Sequence, residues 1–145
     1  MAIALESRQP VATSPTAVWG LLIEPRSWKS WWPAVRDART YDFKPLREGA
    51  RFEVTLQLGR MTSTITPRVV LCAEGKALTW DARWLGVPLH QEWFLEPRQD
   101  GCRVVLRNRF RGAGTLVLRL FRLHHAWDRM SGEQVRGLKR VAERL

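Results

Sequence analysis

Residues 14–35 read SPTAVWGLLIEPRSWKSWWPAV and combine two helix-start signals with four tryptophans. Ser14 offers a capping hydroxyl and Pro15 suits the first helical turn, so a helix is expected to begin here. Pro25 interrupts that helix because it has no amide hydrogen to donate, and it suits the first turn of a second helix. The stretch therefore predicts two short helices in succession.

The second of these helices carries an unusual amount of indole. Four of its residues recur at helical spacing and share one face, apart from a bend at Pro33: Trp28, Trp31, Trp32 and Val35. Tryptophans beside arginines can stack nucleobases, sit at a lipid headgroup layer, bind a protein partner or line an apolar pocket. The helical spacing favours packing of most of the indole onto the end of a sheet, with Trp32 near the mouth of a cavity.

Strands are predicted before and after the helix pair. Residues 2–11 alternate loosely, and residues 36–111 alternate with turn signals between the runs, which predicts about six further antiparallel strands. One face of four runs is apolar: Phe52, Val54, Leu56 and Leu58; Leu78, Trp80, Ala82 and Trp84; Leu89, Gln91, Trp93 and Leu95; Cys102, Val104, Leu106, Asn108 and Phe110. This is the pattern of a sheet with one buried face.

Helical periodicity returns in the last third of the chain. An apolar stripe steps by threes and fours: Leu116, Leu120, Leu123, Trp127, Met130, Leu138, Val141 and Leu145. The opposite face carries arginines: Arg119, Arg122, Arg129, Arg136 and Arg140. The stripe has a gap between Ser131 and Gly137, and a kink is expected near Gly132. A long helix covering a curved sheet is predicted, with an apolar cavity between the two.

Length and composition are those of one globular domain, residues 1–145, with 45% hydrophobic residues. The first residues lack the pattern of a signal peptide, and no apolar run is long enough to span a membrane, so a cytoplasmic location is expected. Cys72 and Cys102 have no CxxC spacing, which favours buried free thiols over a disulfide or a metal site.

The net charge of +10 is unevenly distributed, because residues 98–145 hold 12 basic and 4 acidic groups. Four arginines line the exposed face of the last predicted strand: Arg103, Arg107, Arg109 and Arg111. Such a stripe can attract nucleic acid or an anionic membrane surface. The alternative is that an arginine-rich composition, spread over the whole chain, has no binding role.

Several of these motifs together resemble a known family. Residues 14–22, SPTAVWGLL, and 25–33, PRSWKSWWP, are similar to the opening motif of the polyketide cyclase/dehydrase and lipid-transport family, in the START-related, birch-pollen-allergen-like superfamily called SRPBCC. Leu95-Glu96-Pro97 with residues 100–104, DGCRV, resembles the family's last hairpin, and Leu138-Lys139 its closing helix. The resemblance covers nearly the full length.

The resemblance implies an α+β helix-grip fold, in which a curved seven-stranded antiparallel sheet wraps around a long C-terminal helix above a deep apolar cavity. Family members include carriers of lipids, sterols and quinones and aromatase/cyclases that act on polyketides. Many members place an inward histidine four residues before the leucine of the Leu-Glu-Pro motif. Here Gln91 occupies that position and His90 is expected to face outward, so histidine-dependent chemistry is not carried over.

The predicted inward residues form the candidate ligand site: Trp32, Phe52, Leu56, Trp80, Trp84, Gln91, Trp93, Asn108, Leu120, Leu123 and Trp127. The tryptophans either line a cavity or fill the core. Gln91 and Asn108 are polar residues in an apolar alternation, so they orient a ligand, bond to each other, or bond to trapped water.

No catalytic residue, cofactor or metal site is predicted. His124 and His125 are adjacent on a helix and diverge by about 100°, so they do not chelate one ion together. The sequence contains no GxSxG motif, no phosphate-binding glycine loop and no pair of inward carboxylates.

Three functions remain open. The first is binding of a small to medium hydrophobic molecule, such as a lipid, a quinone or an aromatic polyketide, under the last helix. The second is a cyclase/dehydratase-type enzyme, in which enclosure folds a reactive chain. The third is binding of nucleic acid or anionic membrane by the basic surface. No stable protein partner is indicated.

Overall fold

The computed structural model describes residues 2–41 and 45–145, and its elements follow the predicted order. The strands are β1 (Ala2–Val11), β2 (Val35–Thr40), β3 (Phe52–Leu58), β4 (Met61–Ile65), β5 (Arg68–Ala73), β6 (Ala77–Trp84), β7 (Val87–Arg98) and β8 (Gly101–Arg111). The helices are α1 (Pro15–Leu22), α2 (Trp28–Trp31), α3 (Thr115–Leu120) and α4 (Leu123–Ala142), with a 3₁₀ turn at Pro25–Ser27. The α+β helix-grip architecture predicted from the sequence is confirmed.

The two short helices form where their capping residues predict them. The Ser14 hydroxyl accepts a hydrogen bond from the Ala17 amide at 3.3 Å, and Pro15 occupies the first helical position of α1. Pro25 opens the 3₁₀ turn that leads into α2. Trp32 is already outside α2, with extended backbone (φ −106°, ψ 99°), so the single helical face expected to continue to Val35 ends at Trp31.

The structure has eight strands in two sheets, where the sequence predicts seven in one. The five-stranded sheet has the order β1-β8-β7-β6-β5, the three-stranded sheet has the order β2-β3-β4, and every neighbouring pair is antiparallel. Pro67 lies between β4 and β5 and lacks the amide hydrogen that a continuous ladder needs. As a result β4 pairs with β3, and β5 turns to pair with β6.

The two sheets remain joined by backbone hydrogen bonds around this break. The Phe52 amide donates to the Pro67 carbonyl at 3.2 Å, and the Val69 amide donates to the Ala50 carbonyl at 2.9 Å. The inward alternation predicted for β3 is confirmed, because its apolar residues are buried. The inner faces of both sheets, α1, α2 and α4 contribute to one apolar cluster within the described residues, and all eight tryptophans are buried.

The C-terminal helical region breaks at Arg122, not near Gly132. Arg122 has a left-handed backbone (φ 55°), which ends α3 before α4 begins, and α4 continues through Gly132. The stripe predicted from Leu116 onward therefore does not lie on one face. In α3 the buried apolar residue is Leu118, whereas Leu120 is 77% exposed.

Helix α4 is fixed to the rest of the fold near its C-terminal end. The Lys139 ammonium donates to the Pro10 carbonyl at 2.7 Å, and Glu143 accepts from the Ala12 amide at 2.8 Å. Lys139 and Glu143 also pair with each other at 2.8 Å. Gly137 lies against the backbone carbonyl of Trp31, so α4 and α2 approach without an intervening side chain.

Gly137→Ala is expected to destabilise the protein by about 2 kcal/mol or more, because the added methyl group would overlap the Trp31 carbonyl and force the two helices apart. The measurement is the free energy of urea unfolding. Gly132→Ala in the same helix is the matched control. Its methyl group meets only the flexible end of Arg136, at 3.2 Å, so the better helix propensity of alanine should raise stability by up to about 1 kcal/mol. Equal effects at both positions would contradict the close approach.

Glu143→Gln is expected to lower stability at neutral pH and to have little effect in acid. Hydrogen bonds from Lys139 and from the Ala12 amide hold the pKa of Glu143 below its ordinary value. A lowered pKa means that the stabilisation is present above the ordinary glutamate pKa and is lost as the pH falls through the folded-state value.

Urea unfolding midpoints measured at about pH 7 and about pH 3 test whether the stabilisation by Glu143 is lost in acid. Glu133→Gln, on the exposed face of the same helix, should leave the midpoint nearly unchanged at both values. A Glu143→Gln effect that is as large in acid as at neutrality would show that the contacts do not depend on the charge of Glu143.

Candidate functional site: the interior between the sheet and helix α4

Two aromatic clusters occupy the interior. The first joins α2 to β3, β6 and β7, and its members are Trp28, Trp31, Trp32, Phe52, Trp80 and Trp93, with ring centroids 5.1–6.2 Å apart. The second joins Trp84, Phe110 and Trp127, and the Trp84 and Trp127 centroids are 4.8 Å apart. These spacings are those of favourable tilted and edge-to-face contacts, so the rings contribute directly to core packing.

A hydrogen-bonded row of polar side chains lies between the clusters. Gln91 and Asn108 are direct cross-strand neighbours, and the Gln91 Nε2 donates to Asn108 Oδ1 at 2.6 Å. Trp93 Nε1 donates to Gln91 Oε1 at 3.1 Å, and Asn108 Nδ2 donates to Ser131 Oγ on α4 at 3.1 Å. Of the alternatives that the sequence leaves open for Gln91 and Asn108, bonding to each other is the one observed.

Gln134 of α4 is buried without a partner, and sequence analysis missed it. Its side chain is 0% exposed, and neither Oε1 nor Nε2 has a hydrogen bond among the described residues. The indole nitrogens of Trp32 and Trp127 are also buried and unpartnered. Each such group lowers the free energy of unfolding by about 1–3 kcal/mol relative to a group that has its hydrogen bond. The interior therefore presents an unsatisfied amide and two unsatisfied indole donors.

A signal for Gln134 was present in the sequence. It lies four residues after Met130 and four before Leu138, in step with the apolar stripe of the helix. Residues 131–137 interrupt the predicted apolar stripe, because serine and glutamine are usually exposed. The inward Ser131 was missed in the same way.

The structure places the predicted ligand residues unevenly. Nine of them are buried in the shared core: Trp32, Phe52, Leu56, Trp80, Trp84, Gln91, Trp93, Asn108 and Trp127. Leu123 is partly buried against that core. Leu120 was wrongly placed in the interior, because the break at Arg122 turns α3 so that this side chain faces solvent. Contact of any of these residues with a ligand stays a prediction.

An open groove of about 190 Å³ lies beside the interior. It runs between α4, where Ala126 and Met130 contribute, the β3–β4 turn at Gly59, and Pro33–Ala34 after α2. Pro33 directly follows Trp32, and Met130 is one helical turn before Gln134. The groove is thus lined by sequence neighbours of Trp32 and Gln134, although neither of these two side chains lines it.

The buried polar side chains of the described residues are neutral: Thr79, Gln91, Asn108, Thr115, Ser131 and Gln134. Burial raises the pKa of the Cys102 thiol, which keeps it protonated and unreactive near neutral pH. His90 faces outward as predicted, and its Nδ1 lies 2.5 Å from Asp81 Oδ1. A carboxylate, lysine or histidine placed to act as an interior general base is absent from residues 2–41 and 45–145.

Metal-binding geometry is likewise absent from the described part of the chain, where no three histidine, cysteine or acidic side chains converge on one point. The rings of His124 and His125 lie against each other, with centroids 4.0 Å apart, and the Nδ1 of His124 lies 3.3 Å from the Leu118 carbonyl.

Acidic neighbours partly neutralise the arginine stripe on β8. Arg107 pairs with Glu6 of β1 at 2.7 Å, and Arg103 lies 3.6 Å from Glu96 of β7. Hydrogen bonds from Arg8 and Arg107 lower the pKa of Glu6. In the described residues no carboxylate pairs with Arg111 at the other end of the strand. Nucleic-acid binding by the whole stripe stays a prediction, but only part of the stripe is free of ion pairs.

A family model described as polyketide cyclase/dehydrase and lipid transport matches residues 2–144. The chain belongs to this family. A comparison with curated protein sequences finds no match. Within the described residues, no helix has the length and apolar character needed to cross a membrane.

Solved structures share the fold at low sequence identity. The Zhui aromatase/cyclase from Streptomyces sp. R1128 has a TM-score of 0.83 at 17% identity, over 99% of this chain and 95% of that chain. Ara h 8.0201 has a TM-score of 0.75 at 12% identity, over 100% of both chains. The di-domain aromatase/cyclase StfQ of the steffimycin biosynthetic pathway has a TM-score of 0.83 at 15% identity, over 99% of this chain and 52% of that chain. At these identities the similarity shows a common helix-grip fold.

Gln91→Leu is expected to lower the free energy of unfolding by about 2 kcal/mol or more, because Asn108 Oδ1 loses its donor and Trp93 Nε1 loses its acceptor in a buried setting. Urea unfolding followed by tryptophan fluorescence measures the change. Gln99→Leu in the exposed β7–β8 turn is the control and should lie within about 0.5 kcal/mol of the parent. A Gln91→Leu protein as stable as the parent would show that the polar row adds nothing to the core.

Proposed function

We propose that the protein binds a small hydrophobic ligand that carries at least one hydrogen-bonding oxygen, in the interior between the five-stranded sheet and α4. The observation that carries this proposal is Gln134, whose amide is fully buried and has no partner among the described residues. Buried polar groups without partners are rare in folded proteins because they lose their hydrogen bonds to water. A ligand oxygen at Gln134 would restore the missing bond.

The surroundings define the class of ligand. The walls are aromatic and aliphatic, so affinity would come mainly from apolar burial, at about 25 cal/mol per Å² before the costs of ordering. Gln134 Nε2 and the indole nitrogens of Trp32 and Trp127 donate, whereas Gln134 Oε1 is the one unpartnered acceptor in this set. An excess of donors favours a ligand with carbonyl oxygens. A quinone or an aromatic polyketide fits better than an alkyl lipid.

Binding requires side chains to move. The groove of about 190 Å³ is smaller than the 300–1,000 Å³ or so of usual ligand pockets. Large rings fill the interior, among them Trp32, Trp93 and Trp127. A ligand that reaches Gln134 must displace at least one of these rings, so binding should change tryptophan fluorescence.

Carriage or storage is favoured over acid–base catalysis because the buried polar groups of the described residues are neutral. The proposed ligand class includes polyketides, because the family description names polyketide cyclases and the structural neighbours Zhui and StfQ are aromatase/cyclases. In that setting this interior would hold a polyketide in one conformation without supplying a titratable group.

A matched pair of probes tests the proposal: α-tetralone, which has one carbonyl, and tetralin, which lacks it. Calorimetric titration should show that the protein binds α-tetralone about tenfold more tightly than tetralin, the gain expected for one hydrogen bond in an apolar site. Gln134→Leu should bind both probes equally, because the leucine cannot donate to the carbonyl. Absence of binding by either probe up to its solubility limit would contradict the proposal.

The same variant gives an independent measurement on the ligand-free protein. Gln134→Leu should raise the free energy of unfolding by about 1 kcal/mol, because it replaces an unsatisfied amide with an apolar side chain of similar size. This change has the opposite sign to that expected for Gln91→Leu, although the substitution is chemically identical. A loss of stability in Gln134→Leu would show that the amide has a partner, such as a bound water molecule, in the ligand-free state.

A further inference from the structure

Helix α3 exposes most of its apolar side chains. Leu116 and Val117 are each 52% exposed, Leu120 is 77% exposed and the adjoining Phe121 is 67% exposed. Only Thr115 and Leu118 of this helix are buried. A short helix that shows four large apolar side chains to solvent in one stretch of the chain is characteristic of an interaction surface.

The β6–β7 turn, whose following strand touches the start of α3, exposes a fifth apolar side chain. Gly114, directly before α3, packs against Val87 so closely that a Cβ at this glycine would lie 2.8 Å from the Val87 Cγ2. Leu85 lies two residues before Val87, is 51% exposed and has a positive φ of 53°, a conformation usually taken by glycine or asparagine. We call these five residues the α3 patch: Leu85, Leu116, Val117, Leu120 and Phe121.

The stretch of chain that contains α3 is basic. Residues 101–127 contain six arginines and no aspartate or glutamate. Arg111 precedes α3, Arg119 lies within it and Arg122 follows it. Arg119 donates to the Ala2 carbonyl at 3.1 Å, and none of the three pairs with a carboxylate in the described residues. The patch is therefore an apolar surface with a basic border.

We propose that the α3 patch docks on an anionic lipid membrane surface. Leucine and phenylalanine side chains would enter the boundary between headgroups and acyl chains, while the bordering arginines bind lipid phosphates. A second copy of the chain is a poorer partner, because pairing two patches would bring their arginines together. Nucleic acid is also a poorer partner, because the tryptophans that would stack on bases are buried.

Vesicle sedimentation with the full chain tests the proposal, using vesicles of phosphatidylcholine with and without phosphatidylglycerol. The protein should sediment with the mixed vesicles, bind pure phosphatidylcholine much more weakly, and lose affinity as salt increases. The double variant Leu120→Ser/Phe121→Ser should bind at least about tenfold more weakly. Both residues are largely exposed, so thermal unfolding should confirm an intact fold.

Matched controls separate the patch from general effects of composition. Val70→Ser/Leu71→Ser removes two partly exposed apolar residues from β5 and should leave vesicle binding unchanged. Arg111→Gln should weaken binding about fivefold, whereas Arg140→Gln, with the same change in net charge on α4, should have little effect.

Three results would overturn the proposal. One is the absence of binding to anionic vesicles at low salt. Another is equal loss of binding in the patch variants and their controls. The third is a patch-dependent dimer, or patch-dependent binding of an oligonucleotide, without any binding to vesicles. None of these measurements involves the internal ligand. A negative vesicle result therefore overturns the membrane proposal alone, and a negative α-tetralone result overturns the ligand proposal alone.

Discussion

The close approach of Gly137 to the Trp31 carbonyl fixes the position of α4 relative to α2. At that point α4 lies directly on the backbone of the short helix α2, and the tryptophans of α2 extend from there into the sheet. Trp28 reaches Trp80 of β6, and Trp31 reaches Trp93 of β7, so one helix crossing sets the position of an aromatic cluster that spans α2, β3, β6 and β7. The contacts of Lys139 and Glu143 with the end of β1 hold the same part of α4 in place.

The interior contains two buried glutamines, one with hydrogen-bond partners in the fold and one without. Gln91 lies on a strand opposite Asn108, where an amide-to-amide bond and the Trp93 indole satisfy it. Gln134 lies on the helix that faces this row, and its amide finds no partner among the described residues. Local geometry explains Gln91 completely. Gln134 has no such explanation within the fold, which is why the proposed ligand site is centred on it.

Local periodicity predicted the elements well, because each run of residues carries information about which of its faces is buried. The helix start at Ser14 and the inward faces of β3, β7 and β8 follow from spacing alone. Spacing does not report pairing partners, so the division of the sheet at Pro67 was missed. The break at Arg122 was missed because apolar residues continue at helical spacing across it, and Leu120 was misplaced as a consequence. The inward position of Gln134 follows from its spacing to Met130 and Leu138, but its lack of a partner became evident only in three dimensions, because partners of a buried amide can be distant in sequence.

The left-handed residue Arg122 also separates a mostly exposed helix from a mostly buried one. Because α3 ends before α4 begins, the orientation of the outer helix is not transmitted rigidly to the helix that closes the core. Substitutions at the exposed positions of α3 can therefore change what this surface contacts without altering the side chains that pack around Trp127. A tolerant outer surface and a constrained inner helix are thus neighbours in the same stretch of chain.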